Sequence, residues 1–221
     1  MNLNLNEIIK EMSSKHKVFQ SEAQFQFDLA WEIKLKYPKY DICLEMVTYF
    51  SKNDQKMKRF YTDIVVIDAD GNYCAIELKY KTRNACFEEL DVQLLNHGAT
   101  DLGRFDFLYD IFRIENIKYK DEKKYVYNSK LKHFVKGFAI LLTNESRYWN
   151  TTKVGNSALY KDFCLSNNDY ITKGKPLSWN KIKEKSCVDK TFRDIQLVFR
   201  QDYKFNWQDY THNFKYLIQE I

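Results

Sequence analysis

The chain has 221 residues, 44% hydrophobic and 16% aromatic, enough to bury a substantial core and too apolar for a disordered polymer. With two prolines and six glycines, long flexible linkers are not expected. No apolar run approaches the roughly 18 residues of a membrane span, and the start, MNLNLNEIIKEMSSKHK, lacks the apolar stretch of a secretory signal, so the expectation is one cytoplasmic domain over residues 1–221.

In chain order, a short amphipathic helix is expected over 4–15. A stronger one starts at Ser21, which can cap it with Gln24 completing a capping box, and runs through EAQFQFDLAWEIKLKY to the turn at Pro38. Extended segments follow at about 41–50, 59–68 and 73–81. NACFEELDVQLLNHG is read as a helix from an Asn84 cap to a Gly98 stop, and TDLGRFDFLYDIFRIE as a second. FVKGFAILLTN, residues 134–144, has the composition of a strand buried on both faces. Residues 147–190 have weak periodicity and read as an irregular insertion, and DIQLVFRQDY and FKYLIQEI as closing strands. The core is therefore placed at about 19–144, with 145–221 as insertion and extension.

The segment YTDIVVIDADGNYCAIELKYK, residues 61–81, reads as a hairpin. Gly71 suits the left-handed position closing a three-residue loop of Ala69, Asp70 and Gly71. That register sets Val65 against Ala75 and Asp63 against Glu77. Side chains alternate, so Asp63, Glu77 and Lys79 share one face and Ile64, Val66, Ile76 and Leu78 the other. Opposed carboxylates destabilise a sheet unless something offsets them, and a divalent cation does so. A two-residue Asp70-Gly71 turn would instead put Asp63 and Glu77 on opposite faces and dissolve the cluster.

The order helix, three strands, helix, strand, with an acid on the second strand and Glu77-Leu78-Lys79 on the third, resembles the PD-(D/E)XK nuclease superfamily. The resemblance covers about residues 19–144. It implies an α/β, restriction-endonuclease-like α-β-β-β-α-β core, with a mixed central sheet flanked by helices. Glu22 matches the acid several members carry on the preceding helix. Gln93 falls where helicase-associated and λ-exonuclease-like branches place a glutamine. Thr62 replaces the motif's proline, a position that varies widely and does not touch chemistry. By this resemblance Asp63, Glu77 and the Leu78 carbonyl hold Mg²⁺, for which Mn²⁺ can substitute, with Glu22 contributing directly or through water and Lys79 acting on the nucleophilic water. The donor chemistry agrees, because a hard cation that keeps several waters needs only a few oxygen ligands.

The implied function is a metal-dependent deoxyribonuclease, an endonuclease of restriction, phage defence or recombination and repair. A homodimer and a partner subunit of such a system are compatible with it. The rivals are a non-cleaving nucleic-acid-binding or assembly protein of the same fold, and an α/β interaction domain whose charges are structural. The net charge of +5 is concentrated at 118–136, with Lys123, Lys124, Lys130 and Lys132, and at 173–190, with Lys181 and Lys183. Lysine runs of this kind form solvated loops or, with interleaved Tyr119, Tyr125, Tyr127 and Trp179, contact DNA phosphates and bases. Arg104 with Asp106 or Asp110, and Arg113 with Glu115, read as helix-surface or packing ion pairs. Asn144, Arg147 and Trp149 follow the apolar strand, where a strand end can meet substrate. The five cysteines are odd in number and widely spaced without CxxC, and the four histidines are scattered. Both read as non-ligating.

Overall fold

A computed structural model describes residues 1–15, 17–50, 58–119, 133–150, 158–180, 193 and 195–221. Helix α1 spans Leu5–Ser14, capped by the Asn4 side chain, and α2 spans Glu22–Lys36. At the start of α2 the Ser21 hydroxyl accepts the Gln24 N–H at 3.1 Å. The Gln24 side chain in turn accepts the Gln20 N–H, one residue earlier than a standard capping box. Strands β1 (Asp41–Phe50), β2 (Lys58–Ile67) and β3 (Asn72–Lys81) form an antiparallel meander.

The next segment departs from the sequence reading. Residues 84–98 form no α-helix: β4 (Ala85–Phe87), a 3₁₀ turn (Glu88–Leu90) and β5 (Val92–Leu94) make a small hairpin. Asp91 stands left-handed at φ 50°, which ends the 3₁₀ turn. Val92 and Leu94 are buried while Gln93 and Leu95 are exposed, a period-two pattern suited to a strand. The expected second helix is present as α3 (Thr100–Tyr119), followed by β6 (His133–Thr143). Short strands β7 (Tyr170–Ile171), β8 (Pro176–Leu177), β9 (Leu197–Val198), β10 (Tyr203–Lys204) and β11 (Gln208–Asp209) precede β12 (Lys215–Glu220). The expected strand DIQLVFRQDY is thus two short pieces in separate two-stranded ribbons, whereas FKYLIQEI forms a full strand.

The main sheet has the order β1-β2-β3-β6-β12-β11 and is mixed, because β3 and β6 run parallel across the connection through α3 while the other neighbours are antiparallel. One face, with Ile64, Val66, Ile76, Leu78 and Ile140, packs against Ile8, Phe25 and Leu29 of α1 and α2. The other, with Val65, Ala75, Ala139 and Leu141, packs against Phe107, Leu108 and Ile111 of α3. Gly137 permits that contact: a Cβ there would lie 2.1 Å from the Ile114 methyl. Phe163, Leu165, Trp179 and Phe199 join the same core as α3, which is why that helix is buried on most of its sides, charged residues included. The architecture is therefore α/β, and among the described residues no helix is long and apolar enough to cross a membrane.

Candidate functional site

The β2–β3 turn takes the three-residue form. Asp68 N–H donates to the Asn72 carbonyl at 2.9 Å, Gly71 has φ 83°, and Val65 faces Ala75. The face assignment follows: Ile64, Val66, Ile76 and Leu78 point toward α1 and α2, leaving Asp63, Glu77 and Lys79 toward α3. The direct opposition of Asp63 and Glu77 does not occur, because the β2–β3 ladder stops at Ile64–Ile76. On its other side β1 skips Asp63 as well, with Leu44 facing Ile64 and Met46 facing Thr62 around the left-handed Glu45 at φ 50°.

Asp63 is thus released from both neighbouring strands, and its groups find other partners. Its carbonyl accepts the Gln26 amide at 2.6 Å, and Gln26 also reaches Glu45 at 2.9 Å. Its carboxylate accepts the Leu78 N–H at 2.6 Å. One step along β3, Glu22 accepts the Tyr80 N–H at 2.7 Å. Two carboxylates therefore occupy the row of backbone donors that β2 would have filled had it continued. This local splay brings Glu22 of α2, Asp63 of β2 and the Glu77-Leu78-Lys79 run of β3 together.

Helix α3 closes the cluster from the other side. Lys79 lies 2.6 Å from Asp110 and donates to the Leu78 carbonyl at 3.0 Å. Arg113 donates to Glu77 at 2.6 Å and also to Asp110. Asp110 and Arg113 are the residues that sequence reasoning missed. The expected surface or packing pairs are replaced: Asp106 binds Arg193 at 2.8 Å, and Glu115 accepts the Arg200 N–H at 2.8 Å. The available signal was spacing, since 106, 110 and 113 fall on one helical stripe, alongside the β3 charges.

Burial pushes the Asp63 carboxyl from its ordinary 3.8 up to about 7; Lys79 and the Leu78 N–H oppose the rise, and Asp110 and Glu22 add to it. Burial also pushes Glu77 well above the usual carboxylate range despite Arg113, with Asp110 and Asp63 contributing. At Lys79 burial works downward, but Asp110, Glu22, Glu77 and Asp63 outweigh it and raise the ammonium. The cluster holds more buried negative charge than its own cations neutralise. Among the described residues, buried Glu77 Oε1 has no hydrogen-bond partner.

Among the described residues no three His, Cys, Asp or Glu side chains are grouped to hold a metal ion. Mg²⁺ does not need three, because it takes oxygen ligands and retains waters. Asp63, Glu77 and the Leu78 carbonyl carry oxygen donors of the hard kind that such an ion takes. Gln93 is an exposed residue of β5 opposite Cys86 and makes none of the cluster's hydrogen bonds; its assignment rested on the helix that is absent. Asn144 clasps the backbone of Arg83, and Arg147 binds Glu145 at 2.7 Å, so both are held by local structure. Lys123, Lys124, Lys130, Lys132, Lys181 and Lys183 lie outside the described residues. No family model matches the chain, and no curated protein or solved structure matches it either.

Proposed function

We propose that the chain is a Mg²⁺-dependent nuclease of the PD-(D/E)XK type that hydrolyses DNA phosphodiester bonds. The observation that carries the reading is the gap in the ladder at Asp63. It lets the Asp63 and Glu22 carboxylates line up along the backbone of β3 beside Glu77 and Lys79, and a buried Glu77 oxygen nearby has no hydrogen-bond partner among the described residues. The order of α2, the three-strand meander, α3 and the parallel β6 supports the restriction-endonuclease-like core, with the β4–β5 hairpin as an added element.

In this reading Asp63, Glu77 and the Leu78 carbonyl hold the ion, with Glu22 beside them. The bound cation supplies charge stabilisation for the phosphate oxygens and a more acidic water. The chain's own groups do the rest. Lys79, anchored between Asp110 and the Leu78 carbonyl, donates toward the water and orients it. Asp110 keeps that ammonium charged and in place. The basic segments at 118–136 and 173–190 contribute phosphate contacts, and a second copy of the chain supplies the second cut in a duplex.

A second reading has its own observation. Arg113 already neutralises Glu77, and Asp110 already pairs with Lys79, so the cluster also closes as an internal network of a protein that binds nucleic acid without cutting it. Incubating the protein with supercoiled, linear and single-stranded DNA in Mg²⁺ and Mn²⁺ separates the two. Metal-dependent cleavage of any of them supports the nuclease. Binding of DNA with no cleavage in either metal supports the network.

A further inference from the structure

Arg113 is used in an unusual way for a guanidinium. One nitrogen, Nη2, carries both the Glu77 and the Asp110 bonds, while the buried Nε has no hydrogen-bond partner among the described residues. A guanidinium gains most when its planar fork meets two oxygens of one carboxylate or phosphate side by side. Here the fork is half spent. Its plane is held by aromatic rings: the Phe60 centroid is 4.7 Å and the Tyr109 centroid 5.4 Å from its central carbon.

The same guanidinium lines an open cleft of about 430 Å³ together with Lys58, Arg59, Lys79, Tyr109 and Asp110. Asp106 also borders it, but its carboxylate is taken by Arg193. Four cationic side chains thus surround a cleft whose one other acid, Asp110, is engaged by Lys79 and Arg113. Such a cleft suits an anion of phosphodiester size, and Lys79 places it against the cluster described above.

We propose that Arg113 is a two-position arm: with no metal bound it neutralises Glu77, and when a divalent cation takes Glu77 it turns its fork into the cleft and grips a nucleic-acid phosphate. The inference rests on the nuclease reading and deepens it. Arg113 competes with the metal for Glu77 in the resting protein and becomes a substrate-binding residue in the loaded one. A charge spent on a phosphate cannot also close Glu77, so metal and DNA binding favour each other.

The test uses the full chain with Mn²⁺ alone, then with a DNA duplex in Ca²⁺, the less polarising ion, to hold back cleavage. Arg113→Gln frees Glu77, and its Mn²⁺ affinity by calorimetry is expected to rise about tenfold while DNA affinity in Ca²⁺ falls about tenfold and the slope of log affinity against log salt flattens by about one. Arg113→Lys keeps the charge near Glu77 but loses the fork. It is expected to hold Mn²⁺ within threefold of wild type and still lose DNA affinity, and it decides the matter if Arg113→Gln does not fold. Unchanged or weaker Mn²⁺ affinity in Arg113→Gln, or unchanged DNA affinity in Arg113→Lys, overturns the arm. Those results in a wild type that binds Mn²⁺ and cuts DNA leave the nuclease reading intact. A wild type that neither binds Mn²⁺ nor cuts DNA removes that reading, and the arm with it.

Discussion

Glu32 and Glu77 are both buried glutamates, 8% and 1% exposed, and they are treated in opposite ways. Glu32, on α2, is met by Lys15 at 2.8 Å and Lys17 at 3.0 Å. Burial alone would raise it, but those hydrogen bonds and charges outweigh burial and hold it below its ordinary 4.5. Glu77 has one oxygen on Arg113 and, among the described residues, no partner for the other, and burial, helped by Asp110 and Asp63, pushes it up. A buried acid with two cations is a finished tie between helices. A buried acid crowded by other acids destabilises the free protein, and an added cation would relieve that cost.

The sharpest way to break the contrast is through chemistry. Lys79→Ala is expected to lower cleavage by about 10²- to 10⁴-fold while leaving Mn²⁺ affinity within a few-fold, since the proposed role of Lys79 is on the water and not on the ion. Glu32→Gln is expected to leave the cleavage rate unchanged. A nicking assay beside a calorimetric metal titration measures both. Near-wild-type cleavage by Lys79→Ala would reduce the ExK run to sheet electrostatics.

Much of this site was legible because it is local. The Asp68-to-Asn72 turn needed only Gly71, and with it came the register and the shared face of Asp63, Glu77 and Lys79. Glu22 was placed by the Ser21 cap. What was not legible is what the rest of the fold does to those residues. The ladder break at Asp63 depends on Glu45 leaving the β1 register and on Gln26 arriving from α2 to satisfy the freed carbonyl. Neither event has a signature in the hairpin itself. Asp110 and Arg113 were read as ordinary helix-surface or packing pairs, not as part of the site, because α3 looks amphipathic only in part. Its other faces are covered by residues such as Phe163, Leu165, Trp179, Phe199 and Phe205, far away in sequence. The helix assigned to 84–98 failed for a different reason: a left-handed Asp91 turned a weak helical stripe into two three-residue strands.

The next test moves from rate to stability and has a defined sign. The folded value of Asp63, about 7, lies above its ordinary 3.8. The folded state therefore holds the proton more tightly between those values, so the stability contribution is fully present below about pH 4 and lost as pH rises through about 7. Asp63→Asn has no such loss. In EDTA at pH 8 it should be more stable than wild type by up to about 4 kcal/mol, with the gap closing as pH falls toward 4. Saturating Mg²⁺ should restore the wild type, by about 2.7 kcal/mol at a hundredfold excess over Kd, and leave Asp63→Asn nearly unmoved. Thermal melts across that range measure it. A variant that melts below wild type at pH 8 in EDTA, with no metal effect on either protein, would mean that Asp63 is already neutralised from within.

Glu32→Gln should move the other way. Its lowered value means that the carboxylate stabilises the fold above pH 4.5 and loses that contribution as the solution is acidified through the lowered value. At pH 7 the variant is expected to lose about 1–3 kcal/mol, since two ammonium groups lose their charged partner, and the deficit should vanish in acid. Denaturant melts at pH 7 and pH 3 check both halves. A stabilised Glu32→Gln would erase the distinction between the two glutamates.

The smallest effect tests whether the finished site is redundant. Lys15 is half exposed, with 50% of its side-chain surface open, whereas Lys17 is 27% exposed and bonds the same Glu32 carboxylate. Removing the outer lysine leaves Glu32 with one good partner and gives the freed oxygen access to water. The cost of Lys15→Gln should be that of a surface pair, about 0–1 kcal/mol, and it should shrink further in high salt because the pair sits where ions screen it. Among the described residues Glu77 has no such spare: Arg113 is the one cation bonded to it. If Lys15→Gln costs as much as Glu32→Gln in the same melt, then Lys17 does not share the load, and Glu32 would depend on a single cation as Glu77 does.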